Sequence, residues 1–407
     1  MQFFTRAIAL AAAATPFFAS AVPVSARQEA DGLIPGKYIV QLKPETDIAS
    51  IAVHHNVVRE IHARNLAKRD IAAVEEEAGV EREYGFGDFK GYAGAFDAAT
   101  VEELKSLPEV LDVVQDYIMT TNGLVTQSSA PWGLGSISSR TRGASSYIYD
   151  DTAGRGTFSY IVDTGIRVTH QDFSGRAVFG YNAVAGSDNN DNQGHGTHVA
   201  GTVGGRTYGV AKQTSLIAVK VFEGNSGSAS AVIAGFDWAV NDIVSKARQN
   251  TAVINMSLGG PGSTVWDQAI TAAWNRGVLA VVAAGNENQL AANRSPARSP
   301  EALCVASVAS NDARSSFSNH GAAVDIFAAG TSVVSTYHRS DTDAATLSGT
   351  SMAAPHVAGL VSYLRGVEGA ATAAAVRQRV LELATRGRVT DTQNSVNLLA
   401  YNENGVR

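Results

Sequence analysis

The sequence predicts an α/β protein: a doubly wound, mostly parallel sheet with helices on both faces, preceded by a small α+β domain. Three observations carry this expectation. From residue 123 onward, short and nearly continuous apolar runs alternate with longer segments of helical spacing, the pattern of parallel strands covered on both faces. Charge divides the chain: residues 27–122 hold 18 Asp+Glu against 10 Lys+Arg, a net of −8, while residues 123–407 hold 20 against 21, a net of +1. The length of 407 residues, with 45% hydrophobic and 17% charged, suits more than one folding unit and argues against a disordered chain.

The first segment reads as an export signal. Residues Met1–Ala26 carry one early charge, Arg6, then the apolar run Ala7–Ala14 and a small-residue end, with Ala19-Ser20-Ala21 and Val24-Ser25-Ala26 both suited to signal-peptidase cleavage after residue 21 or 26. No later run is apolar enough for an anchor, so a soluble, secreted, monomeric product without a membrane partner is expected. The single Cys excludes an intrachain disulfide framework and a thiolate zinc site. The formal charge of −6 gives no reason to expect a nucleic-acid partner.

Residues 27–122 form the expected small domain. Tyr38–Leu42 alternates as a strand, Thr46–Leu66 has helical spacing, and Tyr92–Phe96 is a second strand candidate. Thr100-Val101-Glu102-Glu103 resembles a capping box opening a short helix that ends before Pro108, and Val110–Ile118 supplies a last strand. Lys68-Arg69 reads as part of a solvated, charged face. Thr120–Ser129 is polar and poor in core residues, and reads as a linker open to a processing cut.

In residues 123–407 the expected strands are Phe158–Val162, Ser215–Phe222, Ala252–Met256, Val278–Ala283, Leu303–Val308 and Val324–Phe327. The expected helices are Ser228–Arg248, Val265–Arg276, Met352–Arg365 and Ala371–Thr385. Sites in such a sheet form beyond the carboxyl ends of the strands. Asp163, Ser257 and Asn286 occupy that position, and two further segments open helices with a reactive residue: Gly194-His195-Gly196-Thr197-His198 and Gly349-Thr350-Ser351-Met352-Ala353-Ala354-Pro355-His356.

An Asp, a His and a Ser at one sheet edge are the parts of a nucleophilic acyl-transfer site. A serine hydroxyl attacks poorly until an imidazole accepts its proton, and a carboxylate must fix that imidazole's tautomer. Glycines beside His195 and before Ser351 are expected to leave room for substrate backbone. Each residue also has a plainer reading alone. Asp-Thr-Gly is a common turn, and Asn286 could simply occupy a left-handed turn. His195 and His198 are spaced i, i+3 without the Glu of a zinc-binding H-E-x-x-H, so His198 reads as a packing residue. Gly-Thr-Ser-Met-Ala is not the Gly-x-Ser-x-Gly elbow. Jointly, and in this order, the plainer readings lose ground.

The segments around Asp163, His195 and Ser351 resemble the signatures of the subtilisin-like serine proteases, in the Asp, His, Ser order of subtilisin. The resemblance is more particularly to the proteinase K branch and to secreted fungal alkaline proteases. It covers residues 123–407, including Ala130-Pro131-Trp132-Gly133-Leu134 and Val396-Asn397-Leu398-Leu399-Ala400-Tyr401-Asn402; separately, Gly36–Met119 resembles the inhibitory prosegments of these enzymes.

The resemblance implies a secreted serine endopeptidase of broad specificity, made as a precursor that cleaves itself, with protein and peptide substrates and its own prosegment as partners. It makes Ser351 the nucleophile, His195 the base, Asp163 its orienting carboxylate and Asn286 the side-chain oxyanion donor. Ser257, Leu258, Gly259 and the stretch around Gly227 match the strands that flank substrate. Ala283, Ala284 and Gly285 match a wall of the primary pocket, whose small residues favour a large apolar or aromatic side chain. No cofactor is implied for the chemistry. Asp325 with the Pro300 and Ala302 carbonyls falls where the branch binds a structural calcium, although one carboxylate and two carbonyls are a thin ligand set. A selective processing protease and a catalytically silent binding protein on the same fold are the competing expectations. Cys304, in an apolar strand, reads as an inert buried thiol.

Overall fold

The computed structural model describes residues 33–67, 79–117 and 123–403. The export segment, Lys68-Arg69 and linker residues 120–122 fall outside these. The chain separates into two compact units, residues 1–119 and 120–407.

The first unit runs β1 (Leu33–Leu42), α1 (Ile48–Ala67), β2 (Val80–Phe86), β3 (Phe89–Ala95), α2 (Ala98–Leu104) and β4 (Val110–Tyr117). Its strands form an antiparallel sheet in the order β2-β3-β1-β4. Val40, Leu42, Val58, Tyr92, Phe96, Val101 and Leu104 make its core. The inner stripe of α1 uses histidines as well as aliphatics: His54, His55 and His62 are buried beside Val58 and Ile61. The cap of α2 is Asp97 rather than Thr100; the Asp97 side chain accepts from the Thr100 amide at 2.6 Å. Strand β2 escapes sequence reading because Glu81, Arg82 and Glu83 leave it almost wholly exposed at the sheet edge.

The second unit opens with β5 (Leu124–Gln127), α3 (Trp132–Ile137), β6 (Tyr147–Asp150), β7 (Phe158–Asp163), β8 (Ala177–Asn182), α4 (His195–Gly204), β9 (Ser215–Lys220) and α5 (Ala229–Ser245). It continues through β10 (Ala252–Met256), β11 (Gly260–Pro261), α6 (Thr264–Asn275), β12 (Leu279–Ala283), β13 (Arg294–Ser295), β14 (Leu303–Val308) and β15 (Ile326–Ala329). It closes with β16 (Val333–Thr336), β17 (Ala344–Leu347), α7 (Thr350–Val367), α8 (Ala373–Leu383), β18 (Thr385–Arg386) and β19 (Leu398–Leu399). The stretch read as a linker therefore contains β5, which pairs with β6 in a small antiparallel sheet.

A nine-stranded sheet in the order β18-β19-β15-β14-β12-β10-β7-β9-β8 is the frame. Every pairing from β19 to β8 is parallel. From β7 the chain passes to the edge strand β8, comes back to β9 between the two, then crosses to β10 on the other side of β7 and builds the opposite way. Strands β7 and β10 thus flank the point where strand order reverses, the preferred place for a site in an open parallel sheet.

Alternation along each strand divides the apolar side chains between two cores. Ile161, Val253, Val281 and Val305 face α4 and α7, against Val199, Val203, Val357 and Leu360. Tyr160, Val162, Ile254 and Val282 face α5 and α6, against Phe236, Ala239, Trp266 and Ile270. This double burial explains why the strands read as continuous apolar runs.

Helices α4 and α7 pack closely through Gly359, where an added Cβ would lie 2.8 Å from Val210 Cβ and 2.9 Å from the Val203 carbonyl. Ala would gain about 1 kcal/mol of helix propensity over Gly. Gly359→Ala is nevertheless expected to lower the thermal unfolding temperature, by an overpacking cost of about 1–3 kcal/mol. A stabilised variant would contradict this packing.

Candidate active site

The site is assembled by strand register. Asn255 pairs with Ile161 and Met256 with Val282, so Asp163, Ser257 and Ala283 come level at the ends of adjacent strands. Residue 163 shares the face of Ile161, and residue 257 that of Val253, so both side chains project towards α4 and α7.

Helix α4 begins at His195, whose Nδ1 lies 2.8 Å from Asp163 Oδ1. Asp163 is fully buried, whereas the His195 side chain keeps 26% of its surface open. Burial lowers the imidazole's proton affinity, but the Asp163 charge and hydrogen bond, with the Asp191 charge beyond, outweigh it and hold the His195 pKa above its ordinary value. Asp163 also accepts from the Thr164 amide at 2.8 Å, which fixes the carboxylate.

The glycines beside His195 are required by the protein's own packing. A Cβ on Gly196 would lie 2.1 Å from the Gly165 carbonyl and 3.1 Å from Asp163 Cβ, so only glycine lets α4 come this near the end of β7. Gly194, at φ +101°, lies against Tyr337 and His338. His198 is buried, its pKa pushed down to about 4 by burial, and its neutral ring reaches the Val333 and Ala345 carbonyls at 3.1 Å. It fastens α4 to the β16–β17 hairpin, which fits the packing role.

Ser351 lies in the first turn of α7, where its amide has no intrahelical acceptor. Pro355 stands four residues on and has no N–H, so the Ser351 carbonyl loses its helical partner. Ser257 Oγ replaces it, donating to Ser351 O at 2.8 Å, while Ser351 Oγ donates to Ser257 O at 3.0 Å. The hydroxyl must rotate away from that carbonyl to give its proton to an imidazole. Asn286 is held from the other side. Its Oδ1 accepts from the Thr350 amide at 2.8 Å and the Thr350 hydroxyl at 2.9 Å, which turns the Nδ2 donors the other way.

Leu258 is half-buried, and Gly259 and Gly227 are exposed, the latter beside the Glu223–Ser226 bridge. Ala283 and Ala284 point into the two cores, so the segment offers the cleft mainly Gly285 and Asn286. Gly285 has φ +104°, and an added Cβ would lie 2.2 Å from Asn319 Nδ2. Buried Asn319 laces this turn together, donating to the Ala284 carbonyl at 2.9 Å and Glu287 Oε2 at 2.7 Å and accepting from the Glu287 and Gln289 amides. Sequence reading passed over Asn319 and Thr350; the adjacency of Thr350 to Ser351 was the one available signal.

Two of the three expected calcium ligands, Asp325 and the Pro300 carbonyl, already meet a cation of the chain, so the set does not fit a metal ion. Arg377 Nη2 lies 2.9 Å from Asp325 Oδ1 and Nη1 donates to the Pro300 carbonyl at 2.9 Å. Asp325 Oδ2 accepts from the Cys304 amide at 2.8 Å. Among the described residues no cluster of three metal-ligating side chains occurs. Cys304 itself is buried, and burial pushes its thiol pKa well up, as an inert thiol requires.

A buried Asp–His pair, a helix-start serine and a preset amide donor around one strand-order reversal define the class of a serine hydrolase built on a parallel sheet. Comparison places it further. The subtilase family profile matches residues 154–400, and the peptidase inhibitor I9 profile matches residues 37–122. Alkaline protease 1 of Aspergillus clavatus is 50% identical over 402 residues, 99% of each chain. Alkaline proteinase of Hapsidospora chrysogena is 51% identical over 400 residues, 95% of this chain and 96% of its own. The crystal structure of a cold-adapted subtilisin-like serine proteinase superposes with a TM-score of 0.62 at 41% identity, covering 68% of this chain and 99% of that one. The chain belongs to the subtilase family of serine proteases and carries an I9-type prodomain.

Arg377→Ala leaves Asp325 without its cation and is expected to cost about 1–3 kcal/mol of stability, read as a lower thermal unfolding temperature. Calcium added to the unaltered protein is expected to give no stabilisation that Asp325→Asn abolishes; such a gain would show that the ion displaces Arg377.

Proposed function

We propose that the chain is the precursor of a secreted endopeptidase of broad specificity, whose triad is Ser351, His195 and Asp163. The observation that carries this reading is the 2.8 Å Asp163–His195 contact at the same strand ends where Ser257 grips Ser351. Ser351 Oγ attacks the peptide carbonyl carbon as His195 Nε2 takes its proton. Asp163 holds the Nδ1–H tautomer and stabilises the imidazolium. The developing oxyanion takes hydrogen bonds from Asn286 Nδ2 and the Ser351 amide. The leaving amine then receives the proton from His195. Water attacks the resulting ester by the same base, freeing the second product and Ser351.

Substrate lies extended between Ser257–Gly259 and the stretch around Gly227, paired through backbone groups that read peptide rather than side chain. A large apolar or aromatic residue enters beside the main chain of Ala283–Gly285, whose Ala side chains are turned into the cores. The export signal is removed after residue 21 or 26. Residues 27–122 assist folding, and self-cleavage in the linker near residues 117–122 leaves them bound as an inhibitor until they are degraded, which frees the enzyme of residues 123–407. Two things support the last point: the I9 match over residues 37–122, and the division of the chain near residue 119. Among the described residues no helix is long and apolar enough to cross a membrane.

Intact mass and peptide mapping of the secreted product test this. One fluorophosphonate adduct on Ser351, on a chain starting near Gly123, is expected, and Ser351→Ala should remain unprocessed and unlabelled. A folded, processed chain that takes no label would favour the silent binding protein, and a strict dibasic cleavage preference the selective processing enzyme. Asn286→Ala is expected to cut kcat by the loss known for subtilisin's own side-chain donor, about 10²–10³-fold, with KM little changed. Because the raised His195 pKa must be exceeded before the ring is a base, the acid limb of kcat/KM should have its midpoint above pH 6.5 and activity should persist in mild alkali. An acid optimum would contradict the assignment of His195.

A further inference from the structure

Asp191 has no part in the mechanism above, yet it is the most heavily bonded carboxylate near it. It is buried, at 4% exposure, in a polar run, Ser187–Gln193, that reads as an ordinary loop. Its Oδ1 accepts from Thr164 Oγ1 at 2.8 Å, the Gln193 amide at 3.0 Å and the Gly194 amide at 2.8 Å. Its Oδ2 accepts from the Thr197 amide at 2.8 Å and the Thr197 hydroxyl at 2.6 Å. These partners fall into two groups. Gln193, Gly194 and Thr197 are the start of the helix that presents His195, and Thr164 is the residue after Asp163. Thr164 Oγ1 returns the tie, accepting from the Gly196 amide at 2.8 Å.

A buried carboxylate is costly unless its charge is answered. Here the answer comes from the amides at the helix N-terminus and the hydroxyls of Thr164 and Thr197, and Lys220, the last residue of β9, ties the neighbouring main chain. Lys220 is 1% exposed, and its ammonium donates to the carbonyls of Thr164 and Asn190, both at 3.0 Å. One of those residues follows Asp163 in sequence and the other precedes Asp191. The ammonium also pairs with Glu223 Oε2 at 2.9 Å. Lys220 therefore ties together, through backbone carbonyls, the segments that carry Asp163 and Asp191.

We propose that Asp191 is a positioning residue for proton transfer: its carboxylate braces the turn carrying Asp163 to the helix carrying His195, and so sets the orientation of the imidazole. The proposal rests on the reading of Asp163 and His195 given above. The other groups about the ring are His198 one turn along α4, and Tyr337 and His338 of the segment after β16, which lie against Gly194. Asp163 and Asp191 are the charges that raise the proton affinity of His195, with Asp163 the larger contributor. A group that only stiffened the loop would leave that affinity unchanged. One that also supplies charge to the pair would not.

The test is the pH dependence of kcat/KM for a neutral peptide ester, with the rate of fluorophosphonate labelling measured alongside, on secreted and processed enzyme. Asp191→Asn keeps the size of the side chain, removes the charge and turns an NH2 group towards amides and hydroxyls that donate. It is expected to lower kcat roughly 10–100-fold, the scale of a small misalignment of reacting groups, to leave KM within about threefold by the same argument, and to move the acid-limb midpoint to lower pH. An unmoved midpoint, or a loss confined to KM, would overturn the proposal. If Asp191→Asn does not accumulate as folded enzyme, Thr164→Val decides the matter. It removes one of the braces and keeps the charge, so kcat should fall while the midpoint stays. Full kcat in Thr164→Val would overturn the brace. Unaltered enzyme that refuses the label would instead sink the triad reading itself, so the two failures are distinguishable.

Discussion

The parallel hydrogen-bond ladder joining β7, β10 and β12 is the constraint on which the site depends. It brings Asp163, Ser257 and Ala283 level, and strand alternation then aims the first two at the helix layer of α4 and α7. A slip of one residue in either pairing would turn Asp163 or Ser257 into the opposite core and separate it from its partner. Such a slip is prevented by the same feature that makes the strands apolar throughout. Both faces are buried, and the interdigitated side chains of Tyr160, Ile161, Val162, Val253 and Ile254 admit one register. The chemistry is thus positioned by hydrophobic packing, with polar contacts refining it at the strand ends.

Cations of the chain itself take part in that refinement. Lys220 holds two carbonyls at the end of β9, and Arg377 joins α8 to Asp325 and the Pro300 carbonyl. In each place an oxygen cluster that a metal ion could bridge is bridged by a side chain. The chain forms no disulfide, so these ties and the two large cores carry what a crosslinked extracellular protein would assign to covalent bonds. Charged pairs with this much burial hold geometry more surely than they add net stability.

The frame was largely readable from the chain because its elements obey strong local rules. Buried parallel strands appear as unbroken apolar runs, and all six strands expected in residues 123–407 agree with the structure to within about two residues at each end, the usual uncertainty of element ends. The strand expected at Val324–Phe327 is displaced at both ends, running Ile326–Ala329 after Asp325 has turned to meet Arg377. Edge and hairpin strands were not readable. β8 exposes Val178 and Phe179, β2 is charged, and β5 was hidden in a polar stretch whose partner, β6, lies beyond α3. The same division holds in the site. Asp163, His195, Asn286 and Ser351 sit in compact motifs with definite neighbours. Asp191 reaches Thr164 across 27 residues of sequence, Asn319 reaches Ala284 across 35 and Arg377 reaches Asp325 across 52, and no local pattern marks contacts that distant.

Pro355 has a consequence for when the molecule can become reactive. Because the proline withholds the amide that Ser351's carbonyl would otherwise meet, the start of α7 is not self-sufficient, and Ser257 must arrive from another strand to complete it. The surroundings of Ser351, the proposed nucleophile, are therefore finished by tertiary assembly, not by helix formation. A nascent chain that has coiled α7 but not yet seated it against β10 carries the serine without the contacts on either side of it. On the proposed reading, hydrolytic competence waits for the seating of α7 against β10, and a half-built molecule would spare itself and its neighbours.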